Sequence, residues 1–122
     1  MIPNDLVSKI AQFASDKKAE NIAILEMKEI VNFCDYFVIC TGNTDRHVKA
    51  IADNIQDELA KTGMKISSKQ RTGKNDWVVF DIGDVVVHVF EKDTREFYQL
   101  EYLWRDAKKI DWVEEIPQRK VN

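Results

Sequence analysis

Two apolar runs joined by a two-residue turn constrain the fold of this chain most. Residues 77–82 and 85–90 are rich in β-branched and aromatic side chains, and Gly83-Asp84 between them suits a tight turn. Neither run alternates cleanly between apolar and polar residues, so both sides of the predicted hairpin carry apolar groups. Because both faces must then be covered, the hairpin predicts a sheet with helices on each side.

Two helices are predicted ahead of the hairpin. Apolar residues recur at helical spacing over about residues 4–18 and indicate an amphipathic helix. A second helix follows the turn at residues 42–45 and ends at Gly63, a common residue after a helix C-terminus. Its apolar stripe consists of Val48, Ile51, Ala52, Ile55 and Leu59.

Three further strands are predicted, at residues 21–27, 36–41 and 64–68. The second is wholly apolar, which is typical of a central strand, and the third has the weakest pattern. With the hairpin and a last helix, this order predicts an α/β fold with a mixed sheet of about five strands and helices on both faces.

The last helix is predicted after the hairpin, where Asp93 and Glu96 have the spacing of a capping box. Helical periodicity places one apolar stripe against the core, formed by Phe97, Leu100, Leu103, Trp104 and Ala107. Tyr98 and Tyr102 fall instead among polar residues. They are either ordinary surface tyrosines or part of a docking face, because tyrosine is enriched in interfaces.

Length, composition and net charge limit the number of domains and the kinds of partner that this chain can have. A chain of 122 residues, 44% hydrophobic and 32% charged, suits one domain, expected over residues 1–107 with a partly flexible extension over 108–122. A net charge of −3 argues against nonspecific binding to nucleic acid and favours a basic partner, although lysine-rich segments leave RNA contact open. Without an apolar run of membrane-spanning length or a secretory leader, the cytoplasm is the expected location.

The sequence predicts no catalytic residue, metal site or cofactor. Cys34, Cys40, His47 and His88 lack the spacing of a zinc site; the cysteines are expected to be reduced and packed, and His88 to be a hydrogen-bonded core residue. The loop at residues 41–44 has one glycine, whereas a phosphate cradle usually has several. A structural turn before a helix is the favoured interpretation.

Asp81 and Asp84 leave one catalytic alternative open. Carboxylates beside a glycine turn can hold magnesium for nucleotidyl transfer, with Gly42-Asn43 holding phosphate. Their spacing across a turn is better suited to local hydrogen bonds, or to ion pairs with a basic partner. The alternative function is therefore a metal-dependent nucleotidyltransferase-like enzyme.

Four segments together resemble the ribosomal silencing factor family, also called Iojap-related. They are residues 34–43, 46–52, 77–90 and 95–104, and the resemblance extends over about residues 4–107. The combination of GDVVVHVF with REFYQLEYLW is the most specific part. The chain departs from the family at Gln70-Arg71, where Glu-Gly is common.

The resemblance implies a nonenzymatic protein whose fold is related to that of nucleotidyltransferases. It implies a translational repressor that binds the large ribosomal subunit through a ribosomal protein at the intersubunit face and sterically blocks subunit joining. It also implies a possible homodimer, whereas contact with rRNA stays open. The positions that match the family's docking surface are Trp77, Asp81, Asp84, Tyr98, Glu101 and Trp104.

Overall fold

The structure is a computed structural model that describes residues 5–64, 68–71 and 76–110. The helices in this part of the chain are α1 (Asp5–Asp16), α2 (Asp45–Lys61), α3 (Lys92–Tyr98) and α4 (Leu100–Leu103). The strands are β1 (Glu20–Glu26), β2 (Tyr36–Gly42), β3 (Ser68–Arg71), β4 (Trp77–Ile82), β5 (Val85–Glu91) and β6 (Lys108–Ile110).

The strands form one mixed sheet in the order β3-β4-β5-β2-β1-β6. β2 and β5 pair in parallel, and the other neighbouring strands pair antiparallel. Helices α1 and α2 pack on one face, while α3 and α4 lie over the other. This arrangement confirms the predicted α/β class, the mixed sheet and the helices on both faces.

The hairpin forms as predicted, with Ile82 paired to Val85 and Gly83 in the turn at φ 57°. A positive φ is a conformation that glycine adopts without a Cβ penalty, which explains the glycine at this position. Val78 and Val87 face the α1–α2 core, whereas the opposite face of the hairpin carries a second apolar cluster. The apolar residues on both sides of the predicted hairpin therefore belong to two separate apolar clusters, one on each face of the sheet.

Strand β2 is the buried interior strand that its apolar sequence predicts, because every residue of it is buried. Helix α2 lies against the first face through all five residues of its predicted stripe. The Thr44 hydroxyl accepts a hydrogen bond from the His47 amide and caps this helix, and Gly63 follows its end at φ 86°.

The edges of the sheet differ from the expectation in two places. Of the weak strand predicted at residues 64–68, Met64 is outside any strand, Ser68 belongs to β3, which continues to Arg71, and residues 65–67 lie outside the described part of the chain. The sixth strand also extends the sheet beyond residue 107, since β6 pairs with β1 through Lys109 opposite Leu25. Residues 108–110 thus belong to the sheet, and residues 111–122 are outside the described ranges.

The predicted start of the last helix is wrong. Its N-cap is Glu91, whose carboxylate accepts hydrogen bonds from the amides of Asp93 and Thr94. Glu91 satisfies free amides at the start of the helix, which begins at Lys92, one residue before Asp93.

The helix is also interrupted, at Gln99, which adopts a left-handed conformation with φ 49° and ψ 53°. The expected continuous apolar stripe is therefore wrong. Leu100, Trp104 and Ala107 pack against the sheet, whereas Phe97 is 79% exposed and Leu103 is 63% exposed. A left-handed residue changes the direction of the chain, so helical spacing does not continue across it.

Candidate docking surface

An aromatic row crosses the face of the sheet that carries α3 and α4. Its members, in order of contact, are Phe33, Phe37, His88, Trp77, Tyr98 and Phe97. Consecutive ring centroids are 6.4, 4.8, 6.1, 4.7 and 5.0 Å apart. The middle of the row is buried, but Phe33 at one end is 63% exposed and Phe97 at the other is 79% exposed. Buried rings thus support exposed ones.

The two tryptophans predicted as docking residues are half-buried supports of this row. Trp77 stacks on Phe90 at 4.9 Å and lies 4.7 Å from Tyr98, and its indole N–H donates a hydrogen bond to His88 Nδ1 at 3.2 Å. Trp104 packs edge-on against Phe37 at 6.1 Å. Both retain part of their surface for contact, and Trp77 also supports the more exposed Tyr98.

The two predicted docking tyrosines are exposed. Tyr98 is 48% exposed and belongs to the aromatic row, while Tyr102 is 64% exposed and lies under the Arg105 guanidinium at 4.6 Å. The exposure of both residues agrees with their predicted place outside the core.

His88 is only half satisfied, so the expectation of a fully hydrogen-bonded core histidine needs correction. Nδ1 accepts the hydrogen bond from Trp77, which places the ring proton on Nε2, and Nε2 has no hydrogen-bond partner among the described residues. Burial lowers the pKa of His88 to about 4. The ring is therefore neutral at pH 7.

Glu101, another predicted docking residue, is engaged within the protein. Both of its carboxylate oxygens accept hydrogen bonds from Arg95, from Nε at 3.0 Å and from Nη2 at 2.7 Å. Arg95 also donates from Nη1 to the Asn21 carbonyl and to the Thr41 hydroxyl, each at 2.6 Å. Glu101 thus contributes to the arrangement of α3 and α4 before any partner is present.

Asp81 and Asp84 lie at the turn end of the hairpin, with Asp84 exposed and Asp81 half-buried. Burial, followed by the negative charges of Asp35, Asp81 and Asp84, raises the pKa of the Cys34 thiol to about 11. The carboxylates of Asp35, Asp81 and Asp84 therefore all lie near Cys34, and together they form what we call the acidic corner. Among the described residues, no three His, Cys, Asp or Glu side chains are placed together as metal ligands.

The residues of the enzymatic alternative do not converge. Along β2 and β5, Tyr36 is opposite Val85 next to the Asp84 turn, and Gly42 is opposite Glu91 at the far end. Six strand steps separate these ends by roughly 20 Å. The Asp81–Asp84 corner and the Gly42-Asn43 loop are thus at opposite ends of the central strands.

The loop before α2 is occupied by its own hydrogen bonds. The Asn43 amide donates to His47 Nδ1 at 2.9 Å, and His47 Nε2 lies 2.7 Å from the Lys17 carbonyl oxygen. A Cβ on Gly42 would lie 2.9 Å from the backbone nitrogen of Val48, so glycine permits close packing of α2. These contacts favour the structural turn over a phosphate cradle.

Both cysteines are buried free thiols, as the sequence predicts. Burial raises the pKa of Cys40 to about 12, against a smaller opposite effect of the Arg95 charge. Sequence reasoning missed the exposure of several apolar side chains in the described part of the chain, of which Phe33, Phe97 and Leu103 are the most exposed. For Phe33, an aromatic residue in a short loop between two predicted strands was an available signal.

A family model described as "Ribosomal silencing factor during starvation" matches residues 2–122. The chain belongs to the RsfS family. It is 46% identical over 106 residues to a ribosomal silencing factor RsfS of Bacillus subtilis, covering 86% of this chain and 90% of that protein. It is also 34% identical over 102 residues to the chloroplastic protein Iojap of Zea mays, covering 84% of this chain and 44% of the relative.

A crystal structure from Bacillus halodurans shares this RsfS fold, with a TM-score of 0.77 and 38% identity. The alignment covers 88% of this chain and 99% of that one. The expected relation to nucleotidyltransferases stays a prediction. None of the helices in the described ranges is long and apolar enough to cross a membrane.

Proposed function

We propose that this ribosomal silencing factor represses translation by binding the large ribosomal subunit through a basic ribosomal protein at the intersubunit face. It then blocks joining of the small subunit sterically and acts without catalysis, in the cytoplasm. The observation that carries the proposal is the aromatic row, whose buried centre supports exposed rings at both ends, with the acidic corner next to Cys34 at the Phe33 end.

The exposed apolar side chains support a docking role because they cluster. Single exposed apolar residues are ordinary on protein surfaces, whereas a contiguous patch typically marks an interaction site. Within seven consecutive positions, 97–103, helices α3 and α4 expose Phe97, Tyr98, Tyr102 and Leu103, by 79, 48, 64 and 63% respectively. Interfaces derive most of their affinity from a few such anchors, with aromatic residues prominent among them.

The charge of the chain fits a basic partner. The net charge is −3, and Asp84 and Asp81 stand at the turn end of the same hairpin that carries Trp77. Complementary charge mainly accelerates encounter, while the buried centre of the interface determines how long the complex lasts. The predicted docking residues thus divide into aromatic anchors or supports and acidic groups that guide approach.

The steric mechanism requires only that the bound protein occupy space at the intersubunit face of the large subunit. A compact chain of this length has a radius of gyration of roughly 14 Å. A body of that size on a surface that must make close contact with the small subunit leaves no room for it. A homodimer formed through the same apolar surface would compete with ribosome binding.

The test is cosedimentation of the purified protein with isolated large subunits, followed by a subunit-joining assay. We expect binding to be saturable and joining to fall in proportion to occupancy. Tyr98→Ala should weaken binding about tenfold. Met64→Ala, which truncates another exposed apolar residue after the end of α2, should bind as the parent does.

Undiminished joining at saturating protein would contradict the steric mechanism. Equal binding by the Tyr98→Ala and parent proteins would contradict the assignment of the surface. The enzymatic alternative has weaker support, since its residues are roughly 20 Å apart along β2. It predicts heat release when ATP and magnesium are titrated into the protein.

A further inference from the structure

The α3–α4 segment is held over the sheet with little burial of its own. Neither helix contains a buried residue, and an open cavity of about 630 Å³ lies beside them. Arg95, Glu101 and Tyr102 line this cavity together with Asn21 and Thr41 of the sheet. Leu100 and Trp104 are half-buried contacts, so apolar packing restrains only part of the segment.

Arg95 connects this segment to the sheet and across its own bend. Its guanidinium bonds to Glu101, which lies beyond Gln99, and to the Asn21 carbonyl and Thr41 hydroxyl at β1 and β2. The Arg95 side chain is 11% exposed. Four donated hydrogen bonds from a nearly buried guanidinium fix its orientation, and they also fix the positions of the groups that accept them.

The sheet provides an acceptor for Arg95 through an irregularity in β1. Pairing of β1 with β2 shifts register between Glu20 and Ala23, and Asn21 within this bulge has φ 50°. A bulge interrupts the regular ladder of backbone hydrogen bonds and changes the direction of local groups. The Asn21 carbonyl is bonded by Arg95 at this interruption.

We propose that Arg95 and Glu101 form a positioning clasp that holds the bend at Gln99 and thereby presents Phe97 and Tyr98 to the partner. The proposal rests on the proposed ribosome-binding function of that surface. Arg95 and Glu101 act through the side chains they position, and they need not touch the ribosomal protein. Lysine cannot replace the arginine, because one ammonium group lacks the planar fork that bonds both Glu101 oxygens.

Two variants test the clasp while preserving most of the side-chain volume. Arg95→Lys keeps the charge and removes the fork, and Glu101→Gln keeps the shape and removes the charge. We expect each to weaken binding to isolated large subunits by on the order of tenfold. Because both act on one clasp, the double variant should lose less than the product of the two single effects.

Hydrogen exchange gives a readout of the clasp that does not require the ribosome. The Gln99 amide bonds to the Arg95 carbonyl, and the Trp104 amide bonds to the Leu100 carbonyl. Both amides should exchange on the order of tenfold faster in each variant, while the Val38 amide in β2 keeps its parental rate.

Matched controls separate positioning from general effects. Glu58→Gln removes one negative charge from an exposed ion pair on α2, the same change in net charge as Glu101→Gln. Ile55→Val in the α2 stripe lowers stability on the opposite face. Neither control should weaken ribosome binding or accelerate exchange at Gln99.

The outcomes distinguish the clasp from the proposed function. If the parent binds large subunits and Arg95→Lys and Glu101→Gln bind equally well, the clasp proposal is wrong. An affinity loss no larger than that of Ile55→Val would also overturn it. If the parent does not bind at all, the proposed function fails, and unchanged exchange at Gln99 and Trp104 would then overturn the clasp as well.

Discussion

The Trp77 indole N–H donates a hydrogen bond to Nδ1 of His88, at 3.2 Å, beneath the exposed part of the aromatic row. This bond requires an unprotonated Nδ1, since a protonated imidazole has only donors. The protonation state of one buried ring is therefore linked to the position of a predicted docking residue.

Acid should destabilise the protein through His88. Its pKa is lowered from 6.5 to about 4 by burial, so the unfolded chain binds the proton more readily. The free energy of unfolding should be unaffected above about pH 7 and fall by about 2 kcal/mol on going to pH 5. Urea denaturation at several pH values measures it, and His88→Gln should remove this part of the pH dependence. Equal pH dependence in parent and variant would contradict the assignment.

Removing exposed apolar groups from the α3–α4 segment should affect binding and leave stability almost unchanged. Phe97→Ser and Leu103→Ser alter side chains that are 79% and 63% exposed, so each should change unfolding free energy by only about 0.5 kcal/mol. Each should weaken binding to large subunits by roughly tenfold. Leu59→Ala, in the α2 core, should show the reverse pattern in denaturation and cosedimentation.

Charge reversal at the hairpin turn should weaken binding in a salt-dependent manner. Asp84 is exposed, so Asp84→Lys should reduce the association rate most at low ionic strength, where charges are least screened. Stopped-flow association at several salt concentrations measures the effect. Glu58→Lys on α2 is the control for net charge, and an identical salt dependence in the two variants would argue against a role for the hairpin edge.

The bend at Gln99 should depend on backbone conformation more than on the glutamine side chain. Gln99→Gly should be tolerated, because glycine adopts φ 49° without the Cβ penalty. Gln99→Val should lower the unfolding free energy by about 1–2 kcal/mol, since a β-branched residue is strained in the left-handed region. Thermal denaturation of both variants measures the difference, and a less stable glycine variant would contradict this explanation.

Gly42→Ala should destabilise the protein by crowding the start of α2. The added Cβ would lie 2.9 Å from the Val48 nitrogen and 3.0 Å from Val48 Cγ2, so the backbone must shift. We expect a loss of about 1–3 kcal/mol in denaturant titrations. Unchanged stability of Gly42→Ala would contradict this explanation.

Prediction from sequence succeeded where a residue pattern has one physical interpretation. The hairpin turn at Gly83 and the apolar stripe of α2 report burial directly, since every apolar side chain of the stripe is needed in the core. The pairing of β2 with β5 follows less directly, because strand order depends on contacts between distant segments rather than on local pattern.

Prediction from sequence failed for the last helix, because its interruption at Gln99 was not foreseen. Phe97 and Leu103 keep helical spacing with Leu100, and nothing in that spacing indicates that Gln99 is left-handed. The reason lies in tertiary contacts: Arg95 bonds to Glu101 and to the sheet, and these bonds compete with continuation of the helix. Glu101 was predicted as a docking residue from the family resemblance, and its bond to Arg95 could not be read from one segment of the sequence.

The parallel pairing at the centre of the sheet has a consequence for synthesis of the protein. Tyr36 of β2 is paired with Val85 of β5, and 48 residues lie between them in the chain. A nascent polypeptide therefore cannot complete its core until β5 has emerged from the ribosome that makes it. The segment with Phe97 and Tyr98 emerges later still, so an unfinished copy has no assembled surface with which to arrest any ribosome, including its own.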